Sequence, residues 1–128
     1  MIIPAADNMG LRESDAGVHI PLACNINDKG SLFAGSIFSG ATLAAYRATE
    51  RLFASRGLSG DLVAKTASIN YLKRIVSDGL AQATPVSEPV LKPNGNYAVS
   101  MSVRVVDTDG TCGAELSAEF ILLRKKNG

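Results

Sequence analysis

The run Ile37-Phe38-Ser39-Gly40-Ala41-Thr42-Leu43-Ala44-Ala45-Tyr46-Arg47-Ala48-Thr49-Glu50-Arg51-Leu52-Phe53 decides how this chain is read. Ile37, Phe38, Ala41, Ala44, Ala45, Ala48, Leu52 and Phe53 recur at the three-and-four spacing of one helix face, while Arg47, Glu50 and Arg51 fall largely elsewhere. The pattern predicts a helix of about five or six turns. Gly57 is placed to stop it. The apolar face is built from alanine and includes Gly40, so a sheet can approach the helix closely.

The residues beyond the helix read as strands. Tyr97, Val99, Met101, Val103 and Val105 alternate with Ala98, Ser100, Ser102 and Arg104, a two-residue period. Asp107-Thr108-Asp109-Gly110 is turn chemistry. After it Cys112, Ala114, Leu116, Ala118, Phe120 and Leu122 alternate with Glu115, Ser117 and Glu119, which predicts an antiparallel hairpin. Further strands are expected at 61–72, with Val63, Ala67, Ile69 and Tyr71 on one face, and at 79–86. Pro85, Pro89, Pro93 and Asn94-Gly95 break the chain between strands. A short strand at 18–23 precedes the helix, and residues 1–15 read as an N-terminal extension. With no second helix to make crossovers, the sheet must be largely antiparallel with the one helix on its face. The class is α+β, a curved sheet of about five strands around one long helix. One helix covers such a sheet incompletely, so a homodimer or a dimer of dimers is expected.

At 128 residues, 46% hydrophobic and 20% charged, the chain suits one globular domain spanning 1–128. Thirteen Lys plus Arg against twelve Asp plus Glu give no field for nucleic acid or a membrane surface. The first residues lack the cationic start and long apolar run of a secretory signal, and no apolar stretch reaches membrane-spanning length. The expected location is therefore cytoplasmic. Cys24 and Cys112 have neither CxxC spacing nor a histidine partner, so neither metal nor disulfide is expected.

The chemistry centres on the approach to the helix. Gly35 lies where a helix N-terminus offers unpaired N–H groups and a positive dipole end to a developing oxyanion, although a glycine there also serves a tight entry into a close-packed helix. Ser36 reads as a helix cap or as a substrate contact. Asn27 and Asp28 stand where they could orient and activate water, or simply shape a turn. Ser39 shares the first turns of the helix, and Glu50 lies too far along it. The single histidine, His19, sits in the first strand, and no Gly-x-Ser-x-Gly elbow is present, which excludes a serine-hydrolase triad. Lys73 and Arg74, at a strand end, could bind phosphate or an acidic carrier, or be solvated charge.

The stretch Pro21-Leu22-Ala23-Cys24-Asn25-Ile26-Asn27-Asp28-Lys29-Gly30-Ser31-Leu32-Phe33-Ala34-Gly35-Ser36 resembles the hotdog-fold "putative thioesterase" family found as the C-terminal domain of YiiD-like proteins. That family introduces its helix with Asn-x-Asn-x-x-Gly-(Thr/Ser)-x-Phe-(Gly/Ala)-Gly-Ser. Tyr71-Leu72-Lys73-Arg74 is similar to its Tyr-Leu-(Lys/Arg)-Pro strand end, with Arg74 in place of proline. The resemblance spans about 16–123. It implies a hotdog thioesterase acting on an acyl-CoA or acyl-carrier-protein thioester, with coenzyme A entering only as part of the substrate. The loop is also similar to the Asn-x-x-Gly-x-x-His-Gly-Gly loop of broader hotdog thioesterases. On that match Phe33 replaces the His, which lowers a dehydratase reading, and Gly35 supplies the carbonyl-polarising N–H. Thr42 then stands where those enzymes carry a carboxylate. The resemblance places Phe33, Tyr71, Lys73 and Arg74 against substrate, and Ser39, from its place on the helix, is a further substrate-binding candidate. The missing carboxylate leaves open a noncatalytic acyl- or CoA-binding protein.

Overall fold

The computed structural model describes residues 3–124. In chain order these form α1 (Pro4–Asn8), β1 (Arg12–Ser14), β2 (Gly17–Ile20), α2 (Ala34–Ser55), β3 (Leu62–Tyr71), β4 (Gly79–Pro85), β5 (Val90–Leu91), β6 (Tyr97–Val106) and β7 (Cys112–Leu122). The strands make one antiparallel sheet in the order β1-β2-β4-β6-β7-β3, with β5 added to β6. Helix α2 packs against β2, β3, β4, β6 and β7, so the sheet wraps it as the element order implied.

Alanines make that wrapping possible. Ala41, Ala44 and Ala45 are buried in one core with Met101, Val103, Val105, Leu116 and Phe120 of β6 and β7. Gly40 lets the helix come close to β2: a Cβ there would run into the Ile20 side chain, which would have to shift to admit a larger residue. At the far end Gly57, at φ +71°, receives the helix in a Schellman turn. Its N–H donates to Ala54 O, and that of Leu58 donates to Phe53 O. The β6–β7 turn is held by Asp107, whose carboxylate accepts from the N–H groups of Asp109 and Thr111, both at 2.9 Å.

Three expectations are refined. Two short strands, β1 and β5, join the five that periodicity shows, because segments of two or three residues carry no readable period. Strand β2 ends at Ile20 because Pro21 cannot donate to the ladder. In β3 the register slips between Ala64 and Thr66. This bulge puts Leu62, Ala64, Ala67, Ile69 and Tyr71 opposite the buried residues of β7, and Val63 on the other face.

Residues 3–15 of the N-terminal extension are also folded. Pro4 occupies the first turn of α1, and Gly10, at φ +66°, ends it. Gly10 N–H donates to Asp7 O and Leu11 N–H to Ala6 O, which buries Leu11 and Ala6 together. Strand β1 is tied to α2 by Arg47, which donates to Glu13 at 2.9 Å and to Glu50 at 2.8 Å. The hydrogen bond to Glu50 raises the already high pKa of Arg47 despite its partial burial. Glu50 is thus an ion-pair partner of Arg47.

Candidate functional site

The site begins in the loop before α2, which is folded by its own side chains. Asn27 Oδ1 accepts from the N–H groups of Lys29 (2.9 Å) and Ser31 (3.0 Å), and its Nδ2 donates to Ser31 Oγ (2.8 Å). Every polar atom of that amide is spent inside the turn. Asn25, buried and not singled out by sequence, donates through Nδ2 to Met9 O and Pro21 O, both at 2.8 Å. Its own carbonyl accepts from Phe33 N–H at 2.8 Å, and Leu32 N–H reaches Ile75 O. The loop therefore fixes Phe33, the N-cap of α2, in extended backbone (φ −63°, ψ 134°).

Phe33 cannot cap with its side chain. Its carbonyl accepts from Ser36 and Ile37 N–H, but the N–H groups of Ala34 and Gly35 find no acceptor among the described residues. Ser36 is the third helical residue and gives no side-chain cap, which corrects the capping reading; it is buried at that position. The Phe33 ring lies against Gly35, where a Cβ would come 2.7 Å from it. Two free amides at the positive end of a 22-residue helix are thus left beside an exposed aromatic ring.

Gly35, Ser39, Thr42 and Tyr46 follow at spacings of four, three and four, so they share one helix face. That face borders a cavity of about 320 Å³, walled by Phe38, Thr42, Tyr46 and Phe120 and, from the N-terminal segment, by Ala6 and Met9. Ser39 Oγ donates to Gly35 O at 2.9 Å. Thr42 Oγ1 is buried and has no hydrogen-bond partner among the described residues. A second hollow of about 340 Å³ lies beside the first turn of the helix, bordered by Asn27, Ala34, Tyr71, Lys73 and Arg74. Tyr71 OH donates to Ala34 O at 2.9 Å. Desolvation raises the Tyr71 pKa, keeping the phenol a neutral donor.

Of the residues expected from sequence, six fall into two groups, one at each hollow, while Phe33, Gly35 and Ser36 line neither. Ser39 and Thr42 line the apolar cavity, whereas Asn27, Tyr71, Lys73 and Arg74 line the polar hollow. Asp28 borders neither; it is exposed and pairs with Lys29 at 3.4 Å. Neither lining contains Asp, Glu or His. A larger hollow of about 640 Å³ lies at the other end of α2, beside Glu50 and Asp61. There the helix dipole and the carboxylates both oppose an anion, so it is the poorer match to oxyanion chemistry. His19, in β2, lies 3.1 Å from Ser14 Oγ and borders none of these cavities. No helix among the described residues is long and apolar enough to cross a membrane.

Solved structures share this architecture. A "putative thioesterase" from Shewanella oneidensis is 26% identical, with a TM-score of 0.82 over 95% of this chain and 90% of that one. A thioesterase from Haemophilus influenzae is 17% identical, with a TM-score of 0.75 over 94% of this chain and 82% of that one. A Bacillus halodurans protein solved with CoA is 18% identical, with a TM-score of 0.76 over 96% of this chain and 78% of that one. No curated protein matches the chain. The family model described as "Putative thioesterase (yiiD_Cterm)" matches residues 2–124, and the chain belongs to that family.

Proposed function

We propose that this protein is a cytoplasmic hydrolase of acyl thioesters carried by coenzyme A or acyl-carrier protein, working as a homodimer. The observation that carries the reading is the pair of free amides at Ala34 and Gly35 heading the helix face that borders an apolar cavity. A thioester carbonyl accepting from Gly35 N–H is polarised by the helix dipole, and the negative charge that develops on its oxygen is met by preorganised donors. The acyl group then lies along Ser39 and Thr42, with Phe33 over the entrance. A cavity of about 320 Å³ suits one acyl group rather than a whole coenzyme, since ligand pockets span ~300–1,000 Å³. Lys73 and Arg74, in the hollow beside Tyr71, suit the phosphates or an acidic carrier surface. Coenzyme A enters as part of the substrate, and the CoA held by the Bacillus halodurans protein supports this.

Water adds to the carbonyl carbon, the C–S bond breaks, and the proton lost by water passes to the departing thiolate. The Thr42 hydroxyl, with no partner of its own, is suited to hold that water. Asp28, exposed on the turn organised by Asn27 and outside both cavities, is the carboxylate of the entry loop and the candidate base, acting on the attacking water through a second water; Ser36, buried in the first turn beside the amides, completes the candidate set. A second reading, a noncatalytic acyl- or CoA-binding protein, is favoured by one observation, the lack of any carboxylate or imidazole in either lining.

Thiol release from short, long and aromatic acyl-CoAs and from acyl-carrier protein separates the two. The hydrolase reading expects turnover that falls in Asp28→Ala and Asn27→Ala. Saturable CoA-ester binding without thiol release selects the binding protein. Turnover unchanged in both variants moves the water chemistry to Ser39, Thr42 or the second subunit.

A further inference from the structure

We propose that the N-terminal segment 3–11 is the element that sets acyl-chain selectivity, with Asn25 clamping it to the loop that presents Gly35. The proposal rests on the thioesterase reading and names the specificity device of that site. It starts from the composition of the cavity wall: Ile3, Ala6, Met9 and Leu11 form the side facing Phe38, Thr42 and Tyr46 of α2. Helix α1 has only five residues, too few to be stable by itself. What fixes it is Pro4 at its start, the Gly10 turn at its end, and the buried pair Ala6 and Leu11.

Asn25 links this wall to the chemistry. Its side chain holds Met9 O and Pro21 O, while its backbone carbonyl holds the N–H of Phe33, the N-cap beside the free amides. One buried residue therefore spaces the wall from the carbonyl-binding amides. Ala6 contributes the smallest possible side chain to that wall, leaving the space in front of it open, and Met9 contributes a flexible one that can adjust to what enters. The occupant that fits is an aliphatic acyl group, because the walls are apolar and the polar groups gather at the helix N-terminus.

The test compares kcat/KM for decanoyl-CoA and butyryl-CoA in wild type, Ala6→Phe, Met9→Ala, Asn25→Ala and Asp7→Ala. The affinity of decyl-CoA and butyl-CoA thioethers, which cannot be hydrolysed, is measured in parallel by calorimetry. Ala6→Phe should lower the decanoyl-to-butyryl ratio by about tenfold or more, the effect of denying burial to two or so methylenes. Met9→Ala should raise it, Asn25→Ala should move it toward unity, and Asp7→Ala, an exposed residue of α1, should leave it unchanged. Should Ala6→Phe fail to fold, the rise in Met9→Ala carries the test.

Turnover with a ratio that neither the Ala6 nor the Met9 variant moves overturns the proposal and leaves the hydrolase standing. Chain-length-dependent thioether affinity that shifts with these variants, without thiol release, supports the proposal and overturns the hydrolase. Thioether affinity and turnover that are both independent of chain length in wild type overturn the proposal.

Discussion

Thr42 and Thr49 lie two turns apart on α2 and use their hydroxyls differently. Thr49 Oγ1 donates to Ala45 O at 2.7 Å, the ordinary outlet for a threonine inside a helix, whereas Thr42 Oγ1 is buried without a partner beside the apolar cavity. A buried hydroxyl left unsatisfied costs about 1–3 kcal/mol, which a bound water or ligand group would recover. Thr42→Val keeps the shape and removes the hydroxyl. The expected outcome is unchanged or higher thermal stability, by up to about 1 kcal/mol, together with a fall in kcat of about tenfold or more. Thermal unfolding and thiol-release kinetics check the two halves, and lower stability with unchanged kcat would make the hydroxyl structural. The helix position of Thr42 was legible because it follows from spacing alone, whereas Gly35 lies before the point where the helical pattern begins. Sequence alone could not show that the amide of Asn27 is consumed by its own turn, nor that Asp28 borders neither cavity, because loop geometry has no period.

Among the elements, α2 and the β6–β7 hairpin were legible because each has an apolar face long enough to show its period. The start of α2 was not. The pattern begins at Ile37 while the helix begins at Ala34, and the reason is chemical: Phe33 offers no side-chain cap and leaves two amides free. The missing start signal and the proposed carbonyl site are the same feature, a local rule broken where function needs it. Helix α1 was missed for another reason. Its only signals are Pro4 inside its start and Gly10 just past its end, a pairing that can mark even a five-residue helix. In β3 the bulge at Lys65 changes which residues face inward, and nothing in the residue alternation announces it.

At the scale of the molecule, β3 poses the open question of assembly. It is ten residues long, lies at the edge of the sheet, and is exposed along nearly its whole length. A long unpaired edge invites another strand, and a second copy of this chain pairing β3 to β3 would continue the sheet and cover the inner-face residues Ala67, Ile69 and Tyr71. The expected solution mass is twice 13.4 kDa. Ala67→Lys, which puts a charge at the centre of that edge, should yield monomers by sedimentation and lower turnover with them. A wild-type protein that sediments as a monomer would remove the dimer from the account.

The central claim is that a thioester carbonyl sits on the first amides of α2. The most direct measurement is a ¹⁵N–¹H titration of the protein with an acyl-CoA analogue in which a methylene replaces sulfur, so that the carbonyl is kept but cannot be hydrolysed. The account predicts that the Gly35 amide proton moves downfield and exchanges more slowly on binding, with smaller shifts at Ala34 and Thr42. Saturable binding that leaves the Gly35 and Ala34 amides unmoved, with shifts confined to the hollow near Glu50 and Asp61, would contradict it.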